Sequence, residues 1–240
     1  MSEIIISLND FHVPFEDKRA VGVAFNFCRE IQPDVIVIHE VHDFYAISKF
    51  SRDPRRLNSL QEELDEVEIY LAKLRKACPD AKIKFLNSNH LMRLKKYIWN
   101  HAAELSSLRA LELPNLIPFD RYGIDFSDVY VHGDVLFKHG TRVHKFSAYT
   151  AKNEYTDEGM SGASGHTHRV GLFCRTERGG VYDWMECGCL CDLTPEYMEG
   201  KVADWQHGFG MGIFEPDGNY ILHPFRMKDY RIIWKNDLKG

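Results

Sequence analysis

Five short polar segments of this chain carry side chains able to bind a cation: Asp10-Phe11-His12, His39-Glu40-Val41-His42-Asp43, Asn87-Ser88-Asn89-His90, Lys138-His139-Gly140 and Gly165-His166-Thr167-His168-Arg169. Asp10 and His12, like His166 and His168, are two residues apart, and on extended backbone such residues point the same way. Each pair can aim at one ion. Mixed carboxylate, amide and imidazole donors without thiolate suit Mn2+, Fe or Zn2+ better than Ca2+ or a cysteine-type structural zinc. Asp10, His12, Glu40, Asn89, His139, His166 and His168 are more ligands than one four-coordinate ion uses. Two adjacent divalent metals bridged by a carboxylate are therefore expected.

Each segment follows or interrupts runs that read as strands, which hold the loops after them on a rigid frame. Residues 4–8, 35–38 and 83–86 are short apolar runs near breakers such as Gln32-Pro33-Asp34 and Pro79-Asp80. Helices are predicted over 19–31, over 60–78, where Leu64, Val67, Leu71 and Leu74 fall at helical spacing, and from His90 to about 105. From Tyr122 the period changes to two, giving strands at 122–126, 129–131, 135–137, 171–175, 181–186, 210–214 and 220–225. Glu177-Arg178-Gly179-Gly180 and Pro216-Asp217-Gly218-Asn219 are the turns of the last two hairpins. Strands alternating with helices predict a largely parallel sheet, and the β-rich second half a further sheet. The expected fold is a single α/β domain over residues 1–240, two sheets flanked by helices, with the chemistry at strand ends. A division into two domains near Leu116 is the alternative.

Thirty Lys and Arg against 35 Asp and Glu leave a net charge of −5, so no global basic field gathers duplex nucleic acid or an anionic membrane. No apolar stretch approaches the roughly 18 residues that span a bilayer. The start, Met1-Ser2-Glu3 before an apolar run, lacks the basic flank of a secretory signal, and a cytoplasmic protein with reduced thiols is expected from its six cysteines. Cys187, Cys189 and Cys191 alternate as buried small side chains on one strand face would, and lack the loop spacing of a zinc knuckle. His39-Glu40-Val41-His42 has one residue, where the zinc-protease helix motif needs two, between Glu and the second His.

The ordered set of Asp-x-His, an acidic x-x-Asp block, Asn-His, His-Gly and Gly-His-x-His resembles the calcineurin-like metallophosphoesterase superfamily, over residues 10–168. The chain length and the stretch Asp43-Phe44-Tyr45-Ala46-Ile47-Ser48-Lys49-Phe50 also resemble small phage and prophage members, which would place the protein in a host cytoplasm. The resemblance implies that Asp10, His12 and His168 hold one metal and Asn89, His139 and His166 the second, with Glu40 at the position of the bridging Asp. It implies two divalent ions, Mn2+ first, with Fe, Zn2+ and Mg2+ as alternatives. It places His90 where the family keeps the histidine that stabilises the transition state or protonates the leaving group, and Asp43 beside it as a second catalytic candidate. The implied reaction is hydrolysis of a phosphate ester by hydroxide held between the two metals. The substrate class expected first is a phosphodiester of a nucleotide or of single-stranded DNA or RNA, with a phosphomonoester as the alternative. No membrane partner is expected, and the oligomeric state is not readable.

The chain departs from the family pattern where Gly-Asp-x-x-Asp becomes His39-Glu40-Val41-His42-Asp43 and Gly-Asn-His-Glu becomes Ser88-Asn89-His90-Leu91. Glu40 is one methylene longer than Asp, and a bridge between ions about 3.5–4 Å apart tolerates little displacement. His39 in place of Gly should strain the loop or add a ligand. Either Glu40 still bridges and activity survives, or the chain is a weakened or inactive relative that binds or regulates. Arg93, Arg142, Lys145 and Arg169 flank the metal segments and are candidates for phosphate contacts. Trp205, Phe209 and Tyr197 either rim the cleft or pack.

Overall fold

A computed structural model describes residues 1–234 apart from 54, 56–58, 196, 197, 199 and 201. Apolar runs without polar alternation form strands buried on both faces, as parallel strands are: β1 (Glu3–Leu8), β2 (Val35–Ile38) and β3 (Lys82–Leu86). The crossovers are α1 (Lys18–Ile31), whose N-cap Asp17 accepts from the Arg19 and Ala20 amides, and α2 (Leu60–Ala77), opened by a capping box between Ser59 and Glu62. A cap of this kind stabilises by about 1 kcal/mol. α3 (Leu91–His101) stops at His101 rather than near 105, because Ala102 leaves helical backbone and two 3-10 turns follow before α4 (Leu113–Leu116). β4 (Ile124–Ser127) begins two residues later than the alternation suggests: Tyr122 closes a 3-10 turn that Gly123 ends at φ +57°.

The second half adds β5 (Val129–His132), β6 (Val135–Lys138), α5 (Tyr149–Glu158), β7 (Ser161–Ser164), β8 (Val170–Glu177) and β9 (Gly180–Cys187). The chain then returns through β10 (Gly208–Phe214) and β11 (Tyr220–Arg226). The periodicity predicts neither α5 nor β7. β7 reads Ser-Gly-Ala-Ser, and its smallness is what the fold uses: a Cβ on Gly162 would sit 2.5 Å from Cζ3 of the buried Trp184. The turn joining β8 to β9 is shorter than expected, with Glu177 paired directly to Gly180. β9 stops at Cys187 because Gly188 turns at φ +75°, so Cys189 and Cys191 do not extend the strand face their alternation implies.

One sheet has the order β11-β10-β1-β2-β3-β4, with β1 to β4 parallel; the other has β5-β6-β7-β9-β8, with β6, β7 and β9 parallel. Ile5, Val35, Val37 and Leu86 of the first share a core with Val135, Phe137, Ala163 and Met185 of the second. α1 and α2 cover the far face of the first sheet through Phe27, Val67 and Leu71, and α5 covers the second through Ala151 and Tyr155 against Trp184. This is the two-sheet α/β sandwich flanked by helices that the sequence predicts. No helix among the described residues is long and apolar enough to cross a membrane.

Candidate metal centre

The five polar segments lie just beyond the C-terminal ends of β1, β2, β3, β6 and β7, all members of parallel ladders, the end of an α/β sheet where ligands bind. Asp10, His12, His166 and His168 all have left-handed backbone, with φ of 49°, 54°, 67° and 58°. Such residues cost roughly 1–3 kcal/mol each and persist only where their surroundings over-determine them. Here Val13 N–H donates to the Val41 carbonyl (2.8 Å), Gln206 N–H to the His168 carbonyl (2.8 Å), and His166 N–H to Asp10 Oδ2 (2.8 Å). Gly165 makes that last approach possible, since a Cβ there would lie 2.8 Å from Asp10 Oδ2.

These backbone turns bring the predicted ligands together. Asp10 Oδ1 lies 3.9 Å from Nε2 of both His12 and His168 and 3.8 Å from His139 Nδ1. His12 and His168 face each other, Nε2 to Nε2, at 2.9 Å. His139 Nε2 is 2.7 Å from Asn89 Oδ1, and its ring stands edge-on to His166 at 5.1 Å. Glu40 reaches both sides, with Oε1 3.3 Å from His12 Nδ1 and Oε2 3.6 Å from His139 Nε2. Asp43, the second catalytic candidate, has Oδ2 at 3.2 Å from His12 Nδ1 and 3.3 Å from His90 Nδ1.

Three fully buried atoms, Asp10 Oδ1, Glu40 Oε1 and His139 Nδ1, have no hydrogen-bond partner. Orphaned buried groups cost about 1–3 kcal/mol each. Ligand atoms of Asp10, Glu40 and His139 all lie within 4.8 Å of one another, as do those of His12, Glu40 and His90. Unpartnered donors of this chemistry, converging at this spacing, fit divalent cations.

The electrostatics agree. Burial pushes the Asp10 carboxyl up to about 8 and does the same to Glu40, where His12 opposes it and Asp10 reinforces it. Burial also holds the imidazoles of His139, His166 and His168 below their ordinary range, and that of His90 down to about 3 with help from His12. His12 goes the other way, because the Glu40 and Asp43 carboxylates outweigh its burial. At Asp43 burial is likewise outweighed, by hydrogen bonds from His12 and His90 that hold its carboxyl far below the usual range. Neutral imidazoles with free lone pairs are what a metal needs.

Above this floor opens a cavity of about 820 Å3 lined by His12, His90, His166 and His168 on one side and by Phe15, Tyr45, Phe50 and Trp205 on others. Arg93 is the one predicted phosphate contact on its wall: its guanidinium donates to the Asp43 carbonyl (2.7 Å), to Asp43 Oδ1 and to His90 Nε2 (2.8 Å). Arg142 and Arg169 do not line it. Arg142 pairs with Asp157 of α5 at the surface, and Arg169 pairs with Asp204 (3.2 Å) and reaches the His144 carbonyl. His39 has no left-handed backbone and joins no ligand cluster among the described residues, although its buried Nε2 has no hydrogen-bond partner among them. It fills the gap between β2 and β6 with Nδ1 2.8 Å from the Lys138 carbonyl, and burial lowers it to about 4. His42 stacks on Phe44 with ring centroids 5.1 Å apart. Trp205 packs edge-on to His168 at 4.3 Å, Phe209 is core, and Tyr197 lies outside the described residues.

Residues with no local sequence signal complete the centre. Glu186, buried at the end of β9, accepts from Thr167 Oγ1 (2.7 Å) and from the Ala148 amide, fixing the turn between His166 and His168. Glu63, on the buried face of α2, accepts from the amides of Asp43 (3.1 Å) and Phe44 (2.6 Å). Cys191 Sγ lies 3.9 Å from His168 Nδ1.

No family model matches the chain. Among solved structures it is similar to Vacuolar Protein Sorting 29 from Cryptosporidium parvum (TM-score 0.49, 13% identity, 97% of this chain and 95% of that one) and to Chaetomium thermophilum Vps29 (TM-score 0.38, 13% identity, 92% and 96%). At that distance the fold description rests on the strand order itself. In sequence the chain is 30% identical to the Gene 54 protein of Mycobacterium phage D29 and 27% identical to the Gene 54 protein of Mycobacterium phage L5, in each case over 92% of both chains. The chain belongs to the family of these mycobacteriophage Gene 54 proteins.

Proposed function

We propose that this protein is a metal-dependent phosphoesterase of the calcineurin-like type, acting in the cytoplasm on a phosphodiester of a nucleotide or of single-stranded nucleic acid. The observation that carries the reading is the set of orphaned buried atoms of Asp10, Glu40 and His139, which lie behind His12 and His168 where those two rings line an aromatic and arginine-walled cavity. Asp10, His12 and His168 would hold one divalent cation and Asn89, His139 and His166 a second, with Glu40 between them; Mn2+, Fe, Zn2+ and Mg2+ are the candidates. Two bound cations supply activation of water and neutralisation of phosphoryl charge.

The chain's own residues do the rest. Arg93 presents a guanidinium to a non-bridging phosphoryl oxygen from the cavity wall, exchanging part of its bond to Asp43 for it. His90, neutral and accepting from Arg93 at Nε2, offers its Nδ1 side to the carboxylates of Asp43 and Glu40 and so orients the inner wall. Phe50, Tyr45 and Trp205 offer ring faces and edges on which a base stacks, which a phosphomonoester of an alkyl alcohol would not use.

Turnover of bis-p-nitrophenyl phosphate, p-nitrophenyl phosphate and single-stranded DNA, each with Mn2+ and with chelator, tests the reading. The expected result is metal-dependent cleavage of the diesters ahead of the monoester. Absence of turnover with every metal would contradict it and favour a non-catalytic binding protein on the same scaffold. That second reading is motivated by Arg93, which occupies both Asp43 and His90 Nε2.

A further inference from the structure

We infer that Cys191 is a thiolate ligand of the cation held by Asp10, His12 and His168, so that this position selects a thiophilic divalent ion such as Zn2+ over Mn2+ or Mg2+; the inference rests on the metal-centre reading above. One ring nitrogen each of His12 and His168 and the Cys191 sulfur all lie within 4.8 Å of one another. In a tetrahedral site with Zn–S near 2.3 Å and Zn–N near 2.0–2.1 Å, neighbouring ligand atoms are about 3.5 Å apart. Closing the three around an ion needs their separations to shorten by up to about 1.3 Å. Independently, the orphaned and fully buried Asp10 Oδ1 lies 3.9 Å from Nε2 of both His12 and His168, the two rings of that cluster.

The backbone holds the sulfur there. Leu190 N–H donates to the carbonyls of both Asn9 and Asp10 (3.1 Å each), Asp17 N–H to the Leu190 carbonyl (2.8 Å), and Asp192 N–H to the Phe15 carbonyl (2.7 Å). Cys191 is thus stitched on both sides to the loop that carries Asp10 and His12. The neighbouring cysteines give an internal contrast. Cys187 Sγ points at the Met185 carbonyl (3.9 Å) and Cys189 Sγ at the Gln206 carbonyl (3.6 Å), whereas Cys191 Sγ turns to the His168 ring. On binding, the S–H bond breaks, its proton passes to solvent, and the sulfur lone pair forms the bond to the ion. Soft sulfur in an otherwise imidazole and carboxylate set shifts preference toward Zn2+, Co2+ and Cd2+.

Co2+ titration of the metal-free protein tests this without reference to activity. Visible d–d absorption reports that the ion binds; a near-ultraviolet thiolate-to-cobalt charge-transfer band reports a sulfur ligand. The expected result is both in the native chain, with the charge-transfer band lost in Cys191→Ser and kept in Cys189→Ser. Visible bands without the charge-transfer band, or a band unchanged in Cys191→Ser, would overturn the inference while leaving the metal centre in place. No visible band at all would overturn the metal-centre reading and the inference with it. Should Cys191→Ser not fold, cadmium NMR on the native chain decides: a sulfur-deshielded resonance supports the ligand, and a resonance in the nitrogen and oxygen range contradicts it.

Discussion

At and beneath the floor of the cavity Asp10, His12, Glu40, His139 and His168 are at most 8% exposed, and three of the five have left-handed or backbone-tied geometry fixed by neighbouring loops. On its outer wall Phe50 is 65% exposed and Arg52, among the described residues, donates to the Ala46 carbonyl within the same loop. The metal centre draws on five strands of two sheets, whereas the outermost part of the wall, from Ser48 to Asp53, is one local stretch. On the proposed function, a site built this way separates two tasks: cation binding would be preorganised by the fold, while the outermost substrate contact would fall to a single loop. Changes on the floor should therefore affect every substrate alike, and changes on the wall only those that reach it.

The largest expected effect comes from Asp10→Asn, which replaces the carboxyl group facing both imidazoles with a weaker amide ligand. Turnover of every substrate should fall by more than roughly 100-fold, beyond the 10–100-fold typical of an outer partner. A loss confined to one substrate would place Asp10 on the wrong side of the comparison. Glu186→Ala tests the same floor from behind. With Thr167 and the Ala148 amide unsupported, metal affinity read by calorimetry should weaken about 10–100-fold, and an unchanged affinity would show that the His166 to His168 turn holds itself. For the wall, Phe50→Ala should raise KM for single-stranded DNA by about 5- to 150-fold, the equivalent of roughly 1–3 kcal/mol of base stacking, and leave methyl p-nitrophenyl phosphate untouched. Equal effects on both substrates would mean that Phe50 acts through the floor. The smallest effect is that of Ser59→Ala at the start of α2: about 1 kcal/mol of stability by denaturant titration, with kcat and KM unchanged. A change in metal affinity there would reveal that the helix carrying Glu63 tunes the floor.

What the sequence announced and what it hid follow the same division by distance along the chain. The runs at Val35–Ile38 and Lys82–Leu86 are legible because a doubly buried strand must be apolar throughout, and polar residues ending such runs are exceptional. That made the five segments readable as one constellation, and the structure brings them together. β7 was not legible, since Ser-Gly-Ala-Ser is chosen for its lack of bulk under Trp184, a partner some 20 residues away. Glu186, Glu63 and Cys191 were hidden for the same reason: each acts on a loop distant in sequence, and nothing in its own neighbours marks it. His39 shows the converse. Its substitution for a glycine reads as strain, yet the space between β2 and β6 accepts the ring and supplies a carbonyl for it.

The central claim is that the buried carboxyls of Asp10 and Glu40 exist to meet cations, and proton release on binding tests it most directly. Both are raised to about 8 by burial, so the metal-free protein keeps those protons below pH 8 and an arriving cation displaces them. The raised values also mean that the stability these two groups contribute to the metal-free fold is complete below their ordinary range, near pH 4, and is lost as pH rises through 8. Calorimetric titration with Zn2+, in buffers of different ionisation enthalpy, should find two cations per chain, with protons released at pH 6.5 and little release at pH 9. Binding without proton release at pH 6.5, or no binding at either pH, would contradict the account.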